Sequence, residues 1–228
     1  MAYLLHLETA TDVCSVALSK DDRLLALEEN TERYRHAERL TLMIDAVCER
    51  AGIRLSDLAA VSLSSGPGSY TSLRIGTSTA KGICYALDKP LIEVDTLGAL
   101  AGQLRERMGA DTHCYPMIDA RRMEVYTAGY DNAGRRVAPL RAQILDADTF
   151  ADARESGRQL LFIGNGAAKF TPFLAGTDWE IVPGRCTASA LVASAYAQYA
   201  AGSFADVAYY TPIYLKPPNI TKSTKKLL

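Results

Sequence analysis

Residues 62–76 read SLSSGPGSYTSLRIG, and the fold follows from them. The apolar run Leu58-Ala59-Ala60-Val61-Ser62-Leu63 has the look of a buried strand, it stops at Gly66-Pro67-Gly68, and a helix begins near Ser69. A strand, a tight glycine loop and a helix N-terminus gather free backbone N–H groups at one spot, which suits an anion. The simpler reading is a tight turn that positions the helix. Inside that helix Ser72, Gly76 and Ala80 are four apart and share a face, while Ser78, Gly82 and Ala86 form a neighbouring small stripe. Each helical glycine costs ~1 kcal/mol relative to alanine, so Gly76 and Gly82 call for a compensating contact. Close approach of another helix, within the molecule or across an interface, is the simplest one.

Upstream, residues 3–8 and 13–18 read as strands, Asp21-Asp22 as a turn, and 24–27 as a third strand in hairpin with the second. From His36 the period changes: Leu40, Met43, Ile44 and Val47 sit at helical spacing up to Gly52, a C-cap. Downstream, the small-faced helix runs to about Leu87, a strand covers 91–94, and Asp95-Thr96 caps a further helix through about Arg107. The second half starts over. Strands are expected at 114–118, 123–130 and 137–145, with a turn at 131–134. A helix at 148–156 and a strand at 160–163 follow, then Gly164-Asn165-Gly166 before a short helix, a brief strand at 181–182, and an alanine-rich helix over 187–200 with Thr187 as its cap.

Each half thus approximates β-β-β-α-β-α-β-α, the order of the two-lobed α/β actin-like fold of the hexokinase and sugar-kinase class. The expected division is 1–103 for a first lobe and 104–228 for a smaller second one, with a helix near 103–112 touching both. A doubly wound sheet would start with parallel strands, and the hairpin at 13–27 argues against it.

Composition narrows the function. With 228 residues, 48% of them hydrophobic, the chain can build a real core, and a net charge of −1 does not suit a stand-alone RNA binder. The basic tail Lys222-Ser223-Thr224-Lys225-Lys226 reads as a solvated end, with a weak phosphate or partner contact as the alternative. The N-terminus lacks a basic n-region and no run approaches a membrane helix, so neither a signal peptide nor a membrane span is expected. Five cysteines, an odd number without a CxxC pair, fit reduced thiols in the cytoplasm serving as small core residues.

Several segments carry a resemblance. Ser64-Ser65-Gly66-Pro67-Gly68-Ser69-Tyr70-Thr71-Ser72-Leu73-Arg74-Ile75-Gly76, followed by Ala80-Lys81-Gly82, resembles the signature of the bacterial TsaB family, which takes part in making threonylcarbamoyladenosine in tRNA. Pro116-Met117-Ile118-Asp119-Ala120-Arg121-Arg122-Met123-Glu124-Val125-Tyr126 resembles the family's second-lobe motif. Arg35-His36-Ala37-Glu38-Arg39-Leu40 resembles the start of its first long helix, and Pro212-Ile213-Tyr214-Leu215 also fits. Two positions depart: Ser72 stands where the family usually has Gly, and Glu8 where it usually has Asp.

The resemblance implies a subunit that performs no chemistry itself. It would pair with a related TsaD-like subunit that carries the metal and transfers the threonylcarbamoyl group, be joined by a small TsaE-like ATPase, and reach tRNA through the complex. The two long first-lobe helices would form the docking surface and, in isolation, a homodimer. On this chain that surface is assigned to His36, Leu40, Met43, Ile44, Val47, Ser72, Leu73, Gly76, Ala80 and Ile83. The motif loop comprises Ser64, Gly66, Pro67, Gly68, Ser69, Thr71 and Arg74, with Arg74 making a salt bridge or reaching the partner. Glu8, Thr9, Asp119 and Arg121 would face an inter-lobe cleft. No cofactor is expected on this chain alone, and ATP or ADP at the partner interface is left open.

Independent chemistry has weak support. His36 is followed four residues later by Leu40 rather than a second histidine, and His6 and His113 stand alone, so no metal site is expected. The loop Glu8-Thr9-Ala10-Thr11-Asp12 lacks the glycine that lets backbone approach phosphate. Asp119 could orient a metal-bound water or simply serve a turn, and Gly164-Asn165-Gly166 could contact an adenosine or simply enter a helix. Gly66-Pro67-Gly68 is no P-loop, since no Gly-Lys-Ser/Thr follows and Lys81 is some three turns into the helix. No Gly-x-Ser-x-Gly elbow occurs. The rival readings are a small actin-fold ATPase or kinase acting alone and, more distantly, a metallopeptidase.

Overall fold

A computed structural model describes residues 1–32 and 35–217, so the basic tail at 222–226 lies outside the described residues. Two five-stranded sheets are built the same way. In the first, β1 (Tyr3–Glu8) pairs antiparallel with β2 (Cys14–Lys20), which pairs with β3 (Arg23–Asn30). On its other side β1 is joined in parallel by β4 (Ala60–Ser64), and β4 by β5 (Leu91–Val94). The order is β3-β2-β1-β4-β5. In the second sheet β6 (Thr112–Asp119), β7 (Glu124–Tyr130), β8 (Arg136–Ile144), β9 (Gln159–Ile163) and β10 (Glu180–Val182) repeat it as β8-β7-β6-β9-β10. Hairpin strands on one side and parallel strands on the other are the duplicated arrangement that the element order predicted.

Helices cover the sheets and explain the sequence pattern. β1 and β4 are buried along nearly their whole length because both faces are covered, which is why they read as continuous apolar runs. On one face lie α1 (His36–Ala51) and α2 (Tyr70–Leu87). α1 ends on Gly52 at φ +66°, whose N–H reaches the Cys48 and Glu49 carbonyls, a left-handed cap that suits glycine. Within this sheet His6 is wholly buried, its Nδ1 2.7 Å from Ser62 Oγ and its Nε2 2.9 Å from Ser19 Oγ. It is a satisfied core residue, and burial lowers its pKa to about 3. All five cysteines are free and buried, as core thiols should be.

The halves exchange their last helices. α3 (Thr96–Gly102) puts Leu97, Leu100 and Ala101 into the core of the second sheet, beside Ile118, Tyr130 and Leu161. α5 (Val192–Ala200) and the turn before it put Leu191 and Ala195 onto the first sheet, beside Leu4, Ala60 and Ile92. The chain then stays on the first lobe. Ala205 bridges Leu91, Lys81 Nζ donates to the Ala208 and Tyr210 carbonyls at 2.9 and 3.2 Å, and Ile213 N–H donates to Ser65 O at 2.8 Å. Residues 205–216 form a strap, and its Lys216 forms an ion pair with Glu124 on the second lobe.

Several helices are shorter than expected. The one expected to reach Arg107 stops at Gly102, followed by a 3-10 turn at Arg105–Arg107. The one expected over 148–156 reduces to α4 (Ala151–Glu155). After Gly166 the chain forms a 3-10 segment, Ala167–Phe173, containing Pro172, which lacks the N–H an α-helix would use. Thr187 does not cap: its hydroxyl donates to Glu29 Oε1 at 2.8 Å, and the helix opens as a 3-10 turn, Ala188–Leu191.

Candidate functional site

The glycine loop is seated on the β1–β2 loop. Ser69 N–H donates to the Ala10 carbonyl at 2.7 Å, Thr9 N–H to Ser64 Oγ at 3.3 Å, Gly66 N–H to Thr96 Oγ1 at 2.9 Å and Ser65 N–H to the Val94 carbonyl at 2.8 Å. The Ser65, Gly66 and Ser69 N–H groups are thus bonded inside the protein, which favours the tight-turn reading of the loop. Ser69 then caps α2, its Oγ accepting from Ser72 N–H at 3.4 Å and from Ser72 Oγ at 3.0 Å. Sterics specify the glycines. A β-carbon on Gly68 would overlap the Ala10 carbonyl, and one on Gly66, at φ +95°, would come within 2.8 Å of the Ile213 carbonyl.

Gly76 corrects the first reading of the small-faced helix. What approaches it is the Thr9 side chain, whose Oγ1 would overlap an added β-carbon, and no second helix is needed there. Gly82 is the opposite case: nothing lies within 4 Å of where its β-carbon would sit. The stripe Ser78, Gly82 and Ala86 is exposed along its whole length, and Tyr85 beside it is 86% exposed.

The docking surface that the resemblance implied falls largely on residues the structure buries, as core packing of the α1 stripe would have them. Leu40, Met43, Ile44 and Val47 on α1, and Leu73, Gly76 and Ala80 on α2, are buried in this chain. Their stripes are the faces laid on the first sheet, where an amphipathic helix gains most. Ser72 and Ile83 are half-buried. His36 is buried beside the Val13 and Thr11 carbonyls, with Nε2 lacking a hydrogen-bond partner among the described residues, and burial lowers its pKa. The outward faces hold other residues: Thr41, Asp45 and the 58% exposed Leu42 on α1, and Thr71, Arg74, Ser78, Gly82 and Tyr85 on α2.

Two grooves flank α2. One, of about 460 Å³, lies toward α1, lined by Ala37, Thr71 and Ile75; the other, of about 450 Å³, lies toward the strap, lined by Thr77, Lys81 and Tyr210. Arg74, Tyr70 and Ser78 line both. Of the two expectations for Arg74, a salt bridge or a reach to the partner, no salt bridge forms among the described residues. Its Nη1 donates to the Tyr70 hydroxyl at 3.3 Å and its guanidinium stands 5.5 Å from that ring's centroid. Sequence reasoning missed Tyr85 and the strap's role as a groove wall. The Pro212-Ile213-Tyr214-Leu215 segment was the available signal for the strap.

The cleft residues do not converge. Glu8 is buried, its Oε1 accepting from Ala10 N–H at 2.7 Å; desolvation raises its carboxyl to about 7 against the opposing pull of the Ala10 N–H and the Ser64 hydroxyl. Asp119 accepts from Arg121 N–H at 2.6 Å and from Lys169 Nζ at 2.8 Å. Between them runs a different link: Asn165 Oδ1 accepts from Asp119 N–H at 3.0 Å, and its Nδ2 reaches Asp12 Oδ1 at 3.5 Å. Thr9 is turned toward Gly76, while Arg121 is exposed with φ +71°. Gly164 and Gly166 pack against the backbone of β6, as a helix-entry turn does. Among the described residues no three His, Cys, Asp or Glu side chains are placed to hold a metal, and no helix is long and apolar enough to cross a membrane.

Paired sheets of this order, with exchanged helices, define a two-lobed member of the actin-like class. Residues 28–213 match the family described as "TsaD: tRNA N6-adenosine threonylcarbamoyltransferase". The chain is 30% identical over 165 residues to the tRNA threonylcarbamoyladenosine biosynthesis protein TsaB of Bacillus subtilis, covering 71% of this chain and 70% of that one. With the protein of the same description from Escherichia coli K12 it shares 38% over 127 residues, 56% of this chain and 54% of the relative, so the match spans about half of that relative. The solved structure of YeaZ from Pseudomonas aeruginosa superposes with a TM-score of 0.76 at 28% identity, covering 94% of this chain and all of that one. The chain belongs to the TsaB family.

Proposed function

We propose that this chain acts in the synthesis of threonylcarbamoyladenosine in tRNA as a docking subunit, and that the chemistry belongs to a TsaD-like partner. The observation that carries this is the outward face of α2, where Ser78, Gly82 and Ala86 leave a shallow, exposed stripe beside Tyr85. Small residues in a row let another helix come close, and α1 adds Leu42 from the adjoining face. A homodimer in isolation would use the same surface. The non-catalytic part of the reading draws support from the cleft, where the Asp119 carboxylate is held by Lys169 and Glu8 is buried on its own loop.

On this reading a TsaE-like ATPase and tRNA join at the level of the complex. Any ATP or ADP is bound at the subunit junction rather than by this chain alone. The compartment is the cytoplasm, where reduced thiols persist. Reconstitution with a TsaD-like subunit, a TsaE-like ATPase and unmodified tRNA tests it, with the modified nucleoside quantified by mass spectrometry. Modification is expected only when this chain and the TsaD-like subunit are both present. Full modification without this chain, or sub-millimolar binding of Mg-ATP by the isolated chain in calorimetry, would favour the small-ATPase rival.

A further inference from the structure

Arg74 is the ridge between the two grooves that flank α2, and it pairs with no carboxylate among the described residues. The groove toward the strap is one-sided in charge: the charged side chains lining it are Arg74 and Lys81, both cationic. Lys81 is committed to the Ala208 and Tyr210 carbonyls, so Arg74 is the cation with donors to spare. Thr77 and Tyr210 line the same groove, each more than nine-tenths buried, and neither hydroxyl has a hydrogen-bond partner among the described residues.

We infer that this groove receives an Asp or Glu side chain of the docking protein, with its carboxylate forked onto the Arg74 guanidinium. This rests on the docking reading above and adds the chemistry of the contact. A planar guanidinium with free N–H groups matches a carboxylate at two points. The Tyr70 and Tyr214 rings, 4.6 Å apart between centroids, wall the groove beside Arg74. Arg74 is on the same solvent-facing side of α2 as Ser78 and Gly82, so a helix or loop lying along the small stripe passes directly over it.

Two measurements test this. In the first, the isolated chain is titrated with hexaglutamate and, as a control, hexaglutamine, followed by NMR. Hexaglutamate is expected to shift the Arg74 side-chain N–H and the amides of α2 and 210–214, hexaglutamine to leave them in place. Arg74→Gln should abolish the shifts, and Arg74→Lys, which keeps the charge but loses the fork, should retain part of them. Shifts located elsewhere, or unchanged in Arg74→Gln, overturn the inference, as does inorganic phosphate occupying the groove more tightly than the peptide. In the second, affinity for a TsaD-like subunit is measured at low and high salt. Arg74→Glu should weaken it by about tenfold or more, with a smaller loss at high salt. If the wild-type chain pairs and Arg74→Glu pairs equally well, the carboxylate contact is wrong and the docking reading survives. If the wild-type chain does not pair at all, the docking reading fails and the peptide titration alone decides the groove.

Discussion

Thr9 and Gly76 are packed so closely that a β-carbon on Gly76 would overlap the Thr9 hydroxyl, whereas the equivalent position on Gly82, further along the same helix, opens onto free space. Two glycines that look alike in the sequence therefore have opposite roles. Gly76→Ala is expected to destabilise the chain by ~1–3 kcal/mol, since the β1–β2 loop must shift. Gly82→Ala should stabilise it by ~0.5–1 kcal/mol, because the helix loses a flexible residue and nothing is displaced. Urea unfolding of the two variants beside the wild type gives both signs, and equal effects would contradict the assignment.

The same contrast redirects the test of docking. A bulky group at Gly76 would damage the fold and say nothing about a partner. Gly82→Trp leaves the core alone and fills the small stripe, so it should keep the wild-type unfolding midpoint while weakening TsaD-like subunit capture at least about tenfold. Tyr85→Ala and Leu42→Arg should act in the same direction. A Gly82→Trp chain that pairs normally would move the docking surface elsewhere.

Much of this molecule is readable from residue pattern alone, and the exceptions share a cause. The hairpin at β2–β3, the capped α1 ending on Gly52 and the strand–loop–helix at 58–87 follow from local signals: alternation, a left-handed cap, a Ser N-cap. Local signals do not say what a buried face is buried against. The stripe Leu40, Met43, Ile44 and Val47 has the same period whether it meets a sheet or a second protein, and here it meets the sheet. The exchange of α3 and α5 between lobes is invisible for the same reason, since Leu97 and Leu191 are apolar whichever core takes them. Thr187 has the chemistry of a cap, but Glu29, distant in sequence, takes its hydroxyl. Pairings like Asp119 with Lys169 or Asn165 with Asp12 depend on where the lobes meet, which no periodicity encodes.

Glu8 and His6, on the same strand, should bend the pH profile in opposite directions. The buried Glu8 carboxyl is raised from 4.5 to about 7, so the folded chain holds a proton that the unfolded chain releases; its contribution falls as pH rises from 4.5 to 7. The buried His6 ring is lowered from 6.5 to about 3, so the unfolded chain takes a proton that the folded one refuses; its contribution falls as pH drops from 6.5 to 3. Each slope approaches ~1.4 kcal/mol per pH unit, and they offset one another between 4.5 and 6.5. Glu8→Gln keeps an acceptor for Ala10 N–H and removes one slope. Its stability relative to wild type should climb with pH by up to ~1.4 kcal/mol per unit from 4.5 to 7, then level off. A difference curve flat across that window would show that Glu8 is ionised in the folded chain throughout.

Lys81 holds the strap to α2 with two hydrogen bonds from one ammonium, to the Ala208 and Tyr210 carbonyls. The strap carries Ile213, whose N–H closes onto Ser65 and whose carbonyl packs on Gly66, so the motif loop and the strap are one mechanical unit. Lys81→Met preserves the aliphatic stem and deletes the donors. The cost to global stability should be modest, ~1 kcal/mol, because the ammonium is partly in water. The local effect should be larger: the Ile213 amide should exchange with solvent at least about fivefold faster by hydrogen–deuterium exchange, with the β1 and β4 amides unchanged. Unaltered protection at Ile213 would mean that the contact of Tyr214 with Tyr70 and the fit of Ile213 over Gly66 hold the strap without the lysine.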